Sequence, residues 1–296
     1  MEEQINQFLA FLKDSKRYAY NTIEAYRNDL NQFLNFAVNE RPHLAHWSRV
    51  DKELLVEFIK DLTVREYTPS SVARKVAVLK TFYHFLLQNN LVSEDPTATL
   101  GSPKVQKRLP QILTPEEVDR LLAAPVNHST PKGFRDRAIL ELLYAAGVRV
   151  TELVSLDVDS VDLVERAVKC KGNGARSRVI PIAARAADAL RDYLLRGRPA
   201  FVTDPDECAL IVNSHGDRLT RQGLWLIIKE YVKEAGIVTP VTPHTLRHSF
   251  AVHQLNRGAD MQNVQKLLGH ANITTTQMYA RLVNVPAAKS ADDESA

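Results

Sequence analysis

Residues 244–253 read HTLRHSFAVH, which places three of the chain's nine histidines and an arginine within ten positions. His244 and His248 stand four apart, so they share one face of a helix, a spacing that suits zinc. A zinc-protease pattern needs a glutamate directly after the first histidine, and here that residue is Thr245. His253 or His270 is left as a third ligand, with no acidic residue at a supporting spacing, so a metal site is not expected. His248 and His253 read as ordinary helix residues, one packed and one exposed. An arginine beside a histidine points instead to an anion, because the planar guanidinium fork matches phosphate oxygens in two-point contact. On this motif alone a structural salt bridge is the plainer reading. Two further segments tip the balance. AAGVRVTEL places Arg149 just after Gly147, with Glu152 three residues on and placed to hold it. LLGHANITTTQMYARL places His270 directly after a glycine and Tyr279 nine residues later.

These residues need elements to carry them. GFRDRAILELLYAAG is a strongly apolar helix that stops at Gly147, a left-handed C-terminal cap. RAVKCKGNGARSRVIPI reads as two short strands around a glycine-bearing turn. ARAADALRDYLL is a helix and CALIVN a strand. TRQGLWLIIKEYVKEAG is a helix capped by Thr220 and stopped at Gly236. A short helix surrounds Tyr279. Upstream, TPEEVDRLL opens with Thr114 as N-cap, Pro115 in the first turn and Glu117 where a capping box needs its carboxylate. The first hundred residues carry four amphipathic runs that suggest a compact bundle. The second of them is capped by Asn21 or Thr22, and the fourth opens on Thr68 and Pro69. Between the halves, EDPTATLGSPKVQKRLPQIL has three prolines, a glycine and several cations without apolar periodicity, and reads as a linker. The expected organisation is a helical domain over 1–100, a basic linker over 101–112, a catalytic domain over 113–285 and a disordered tail over 286–296. The fold class is mainly α with a small β-sheet.

Composition narrows the function classes. At 296 residues the chain can bury one or two real cores. A net charge of +3 is mild support for a nucleic-acid partner. Two cysteines, Cys170 and Cys208, rule out a disulfide framework and a cysteine-only zinc site, and suit a reducing cytoplasm. The acidic, amphipathic N-terminus is not a signal peptide, and no run of about 18 apolar residues exists to span a membrane.

GVRVTEL, KGNGARSRVIPI, HTLRHSFA, LLGH and TTTQMYARL, in this order and at these separations, resemble the tyrosine recombinases, and among them the Xer-type site-specific recombinases. Each piece is common alone; together they are specific, and the resemblance covers nearly the whole chain. It implies an N-terminal SAM-like helical bundle followed by a tyrosine-recombinase catalytic domain. The implied reaction breaks and rejoins DNA through a 3′-phosphotyrosine without metal or other cofactor, keeping the phosphodiester energy in the covalent bond. The implied roles are Tyr279 as nucleophile, Arg149 and Arg247 as donors to the phosphate oxygens, His270 as a further donor, His244 as acceptor of the tyrosine proton, and Lys171 as the acid that protonates the leaving 5′-oxygen. The segment between Lys171 and Pro181 is about two residues longer than the family pattern, so the lysine turn is the least regular part of the match. Arg176 and Arg178 on that turn are candidate phosphate contacts.

A small helical domain and a catalytic domain joined by a basic linker suit a clamp on double-stranded DNA. Ser71, Arg74 and Lys75 near the start of a helix are candidate DNA contacts, as is Arg221 just after the Thr220 cap. Thr22 and Arg27 are weaker candidates, and Lys104, Lys107 and Arg108 line the linker. The resemblance implies a homo- or hetero-tetramer on two DNA sites, with a partner recombinase or a DNA translocase as further partners. The chain after Tyr279 is short for an exchanged C-terminal helix. Resolution of chromosome or plasmid dimers is the expected role. The alternatives are an integrase or transposase of a mobile element, or a DNA-binding protein with impaired catalysis.

Overall fold

The computed structural model describes residues 1–101, 109–171, 177–270 and 272–283. The linker cations Lys104, Lys107 and Arg108, the turn residue Arg176 and the tail from residue 284 lie outside the described residues. The chain divides into two compact units, Met1–Lys107 and Arg108–Ala296.

The first unit is a four-helix bundle of α1 (Glu2–Asp14), α2 (Tyr20–Glu40), α3 (Lys52–Val64) and α4 (Pro69–Gln88). The starts of α3 and α4 follow from capping chemistry. Asp51 accepts from the Leu54 amide at 2.9 Å, and Thr68 accepts from the Ser71 amide with Pro69 in the first turn. The α2 start differs from expectation. Neither Asn21 nor Thr22 caps it. The chain arrives extended at Ala19, whose carbonyl accepts from the Thr22 and Ile23 amides, so Tyr20 is already helical. Phe8, Leu30, Phe33, Leu54, Phe58 and Phe82 are buried between the helices. Trp47, from the loop before α3, closes one end, with its ring centroid 4.8 Å from Phe82 and its Nε1 donating to the Met1 carbonyl at 3.0 Å.

The second unit begins with α5 (Pro115–Ala123), which opens on the expected Thr114–Glu117 capping box. Then come α6 (Pro131–Ala146), the short α7 (Val150–Val154), and a sheet of β1 (Val161–Asp162), β2 (Ala167–Lys171) and β3 (Ser177–Pro181). The strands pair antiparallel in the order β1-β2-β3, with Cys170 opposite Arg178 and Lys171 opposite Ser177. The two expected strands are present, and β1 adds a third. After α8 (Ala184–Asp192), residues 208–213 do not form the expected strand. They make single bridges, Asp157 with Ala209 and Val212 with Arg218. The Arg198 guanidinium takes the carbonyls of Glu207 and Ala209, so a side chain fills positions that a neighbouring strand would otherwise occupy. The chain closes with α9 (Arg221–Glu234), α10 (Pro243–Asn256), α11 (Met261–Leu268) and α12 (Thr274–Ala280). Ala138, Ile139, Leu140, Leu142 and Leu143 bury the consecutive faces of α6, which explains why that helix reads as apolar all round. Ser249 of α10 accepts the Leu113 amide at 2.8 Å and ties the start of this unit to α10.

Candidate active site

Helix α6 ends in the left-handed conformation at Gly147, φ +54°. A Cβ there would lie 2.5 Å from the Phe250 ring, so glycine is required twice over, for backbone and for space. The stop turns the chain so that Arg149 becomes the N-cap of α7. Glu152, on the first turn of that helix, accepts the Arg149 amide at 2.7 Å and one arm of its guanidinium at 2.9 Å. The expected Glu152–Arg149 tether is therefore present, but it is half of a larger arrangement. Arg178 of β3 forks onto the same carboxylate, at 2.6 and 2.9 Å. Burial pushes the Glu152 carboxyl up, but the Arg178 hydrogen bond, the Arg149 amide and the two guanidinium charges outweigh it and hold it below the usual range.

Three arginines then converge on the C-terminus of α11. Arg178 Nε donates to the Leu267 carbonyl at 3.0 Å, Arg247 donates to the Leu268 carbonyl, and Arg149 donates to the Gly269 carbonyl at 2.9 Å. The last carbonyls of a helix have no intrahelical partner and carry the negative end of its dipole, so cations belong there. Arg247 uses another nitrogen on the Gly147 carbonyl. Gly269 has φ +63°, and a Cβ on it would meet the Arg178 guanidinium at 2.8 Å. The glycine before His270 thus lets Arg178 close on this loop.

His270 leaves this loop with Nδ1 2.9 Å from the hydroxyl of Thr276, which is fully buried on α12. One turn later on α12, Tyr279 is buried, and its hydroxyl is 2.8 Å from His248 Nδ1. The His270 and Tyr279 rings stack with centroids 6.3 Å apart. Burial, with the Arg247 and Arg149 charges adding, pulls His270 down to about 4. Burial, with His244 and Arg247 adding, pulls His248 to about 4 as well, so both rings are neutral at pH 7. Burial raises the Tyr279 phenol, and Arg247 and Arg149 oppose that rise. Burial, with the neighbouring Arg149 charge adding, lowers Arg247 to about 10. Among the described residues, three guanidinium groups, one carboxylate and the neutral imidazoles of His248 and His270 meet here. An arriving anion is attracted by each adjacent cation with about 4 kcal/mol at 4 Å and an effective dielectric constant near 20.

Residues 111–284 match the description "Phage integrase family", and residues 5–90 match "Phage integrase, N-terminal SAM-like domain". The chain belongs to the phage integrase family of tyrosine recombinases. It is 48% identical over 284 residues to a tyrosine recombinase XerC of Roseiflexus castenholzii, covering 95% of this chain and 90% of that one. It is 41% identical to a tyrosine recombinase XerD of Listeria innocua, covering 96% of each. Among solved structures, XerA recombinase aligns with a TM-score of 0.52 at 28% identity over 94% of this chain and 92% of that one. The fold is also that of XerH site-specific recombinase bound to a palindromic difH substrate, with a TM-score of 0.74 at 20% identity over 95% of this chain and 82% of that one.

Within this family's motif set, the structure brings together Arg149, Glu152, Arg247, His270 and Tyr279. It places two others differently. Lys171, at the end of β2, is three-quarters exposed and has Asp157 as its ion-pair partner at 3.6 Å. His244 is exposed at the start of α10, and its ring stacks on His248 with centroids 6.3 Å apart. The histidine on the tyrosine hydroxyl is His248, which by sequence is expected to be an ordinary helix residue. The available signal was its place beside Arg247, one turn after His244. His253 is buried with its Nδ1 2.8 Å from the Tyr144 hydroxyl, so neither of the two is exposed as expected. Among the described residues no group of three or more His, Cys, Asp or Glu is disposed to hold a metal ion. No helix among them is long and apolar enough to cross a membrane.

The candidate DNA contacts divide. Lys75 is buried, with Nζ 2.7 Å from Asp29 and 2.6 Å from Gln32 Oε1, so it is a bundle residue and not a surface cation. The sequence reading missed this because Asp29, its partner, lies a whole helix away. Arg74 also pairs with Asp29, but half of its side chain is exposed. The Ser71 hydroxyl is 2.9 Å from that of Thr68. Arg27 is tied to Asn6 at 3.0 Å and to Glu24. Thr22 and Arg221 are exposed. Arg178, with both arms on Glu152 and its Nε on Leu267, acts inside the site and is withdrawn as a phosphate contact.

Proposed function

We propose that this tyrosine recombinase is a site-specific enzyme that cleaves and rejoins DNA through a 3′-phosphotyrosine on Tyr279, and that its role is the resolution of chromosome or plasmid dimers. The observation that carries the proposal is the convergence of the Tyr279 hydroxyl with Arg149, Arg247 and His270 in one cationic pocket. The phenol oxygen attacks phosphorus, forming the O–P bond as the bond to the 5′-oxygen breaks. Arg149 and Arg247 meet the charge that grows on the non-bridging oxygens. With Thr276 donating to Nδ1, His270 carries its hydrogen on Nε2 and adds a third donor. His244, exposed to solvent and stacked on His248, takes the phenol's proton once the hydroxyl turns from His248. Lys171 gives a proton to the 5′-oxygen, its exposed side chain being free to turn from Asp157. Rejoining reverses these steps with the energy stored in the phosphotyrosine, and needs no external energy source.

In this reading residues 1–100 bind core DNA and residues 113–285 carry the chemistry. Ser71 and Arg74 at the start of α4, and Arg221 at the start of α9, contact phosphates where helix N-termini also favour them. Double-stranded DNA is the partner, held by a homo- or hetero-tetramer in the cytoplasm. The names of the relatives, XerC and XerD, support the dimer-resolution role over that of a mobile-element integrase.

The test is covalent capture. The protein is incubated with fragmented chromosomal DNA and denatured in detergent, and DNA that stays attached is sequenced, with Tyr279→Phe in parallel. Wild type should retain a single shared sequence, and the variant none. Equal retention by both would overturn the assignment of Tyr279.

A further inference from the structure

The proposed chemistry does not use the residue nearest to the nucleophile's oxygen. His248 Nδ1 lies 2.8 Å from the Tyr279 hydroxyl. The two rings sit with centroids 5.5 Å apart, tilted by 54°. His248 is half-buried on α10, in the same helix as Arg247 and directly after it. A phenol at neutral pH has one hydrogen to give. A neutral imidazole accepts on one nitrogen and donates from the other, and in the tautomer with its hydrogen on Nε2 His248 accepts from Tyr279 at Nδ1.

We propose that His248 is a positioning residue for the Tyr279 nucleophile. It accepts the hydroxyl hydrogen on Nδ1 and so fixes the phenol oxygen beside Arg149 and Arg247. The inference rests on Tyr279 being the nucleophile. Its low basicity fits holding and not removing a proton, because a ring whose pKa is pulled to about 4 takes little from a phenol whose own is raised. The charged and polar groups around the pair are consistent with this. Arg247 lies on the same helix as His248, Arg149 precedes α7, His270 follows α11, and His244 stacks on the far side of His248. None is a carboxylate that would draw a proton onto the ring. Position matters because a hydroxyl free to rotate reaches a productive alignment with phosphorus only part of the time.

The test uses shape-matched variants of the full chain. In His248→Asn the amide oxygen falls near the place of Nδ1, and a neutral acceptor survives. His248→Leu has nearly the same size without an acceptor. His248→Gln carries its amide further out, near Nε2. Each variant is assayed for the rate of covalent adduct formation on a nicked duplex carrying the captured sequence, beside wild type and Tyr279→Phe. Thermal unfolding confirms that each is folded. The expected result is an adduct rate for His248→Asn within about threefold of wild type, with His248→Leu and His248→Gln slower by about tenfold or more. His248→Asn as slow as His248→Leu would overturn the proposal and make the imidazole itself necessary. His248→Leu at or above the wild-type rate would also overturn it. Adduct in Tyr279→Phe, or none in wild type, would instead defeat the nucleophile assignment on which it rests.

Discussion

Glu152→Gln is the sharpest perturbation of this site. The carboxylate is buried and receives four donors: the Arg149 amide, one arm of Arg149 and both arms of Arg178. Glutamine keeps the shape and one oxygen, but removes the negative charge that Arg149 and Arg178 share. Breaking a buried ion pair by neutralising one partner costs about 3–5 kcal/mol. The Arg149 side chain is 39% exposed and the Arg178 side chain 17%, so solvent screens part of the loss and the lower end, about 3 kcal/mol, applies. For a unit of this size that lowers the midpoint of thermal unfolding by roughly 6–12 °C. Activity falls as well, because Arg149 loses the tether that aims it. Misplacing one transition-state donor costs on the order of a hundredfold or more in rate. Two companion measurements identify the cause. Inorganic phosphate should stabilise Glu152→Gln more than wild type, since an anion in the pocket replaces the missing charge. Glu152→Gln combined with Arg178→Met should be more stable than Glu152→Gln alone, because the uncompensated cation is gone. Calorimetry and adduct formation on a nicked duplex read both effects. If Glu152→Gln unfolds within about 1 kcal/mol of wild type and forms adduct at the wild-type rate, the reasoning fails.

Three further outcomes follow from the structure. His248 and His270 have folded values of about 4 against an ordinary 6.5. The unfolded chain therefore binds more protons between those limits, and stability is fully present above about pH 6.5 and declines as pH falls toward 4. The slope is at most about 1.4 kcal/mol per pH unit for each ring, and replacing His270 with Gln should remove its share in denaturant titrations across that range. Lys75→Gln should destabilise the helical unit by about 1–3 kcal/mol, because buried Asp29 keeps only the half-exposed Arg74 as its cation, and leave the salt dependence of DNA binding unchanged. Arg221→Ala should leave unfolding unchanged and reduce that salt slope by about one.

Much of the fold was legible because its signals are local. Thr68 with Pro69, the Thr114–Glu117 box, Thr220 and Gly147 each act within one turn of chain, and each stands where the sequence put it. The errors share an opposite character. The α2 cap failed because a backbone carbonyl did what a side chain was expected to do. Residues 208–213 looked like a strand by apolar content, but Arg198 took the carbonyls that a ladder would need. Lys75 read as a surface cation because nothing nearby in sequence marks Asp29 as its partner.

The same distinction explains what was missing from the site. The motifs named the side chains suited to an anion, since arginine, histidine and tyrosine at those spacings carry that chemistry in their types. They did not show what the arginines do before an anion arrives. Leu267, Leu268 and Gly269 offer three carbonyls in succession, and three guanidinium groups from β3, α10 and the start of α7 each take one. A carbonyl has no letter in the sequence, so this contact leaves only one trace there, the glycine that admits Arg178. The consequence is physical. Cations held by helix-end carbonyls are fixed in place before an anion arrives. A phosphate entering such a pocket meets donors that need little reorganisation, which is the condition under which electrostatic stabilisation of a transition state is largest.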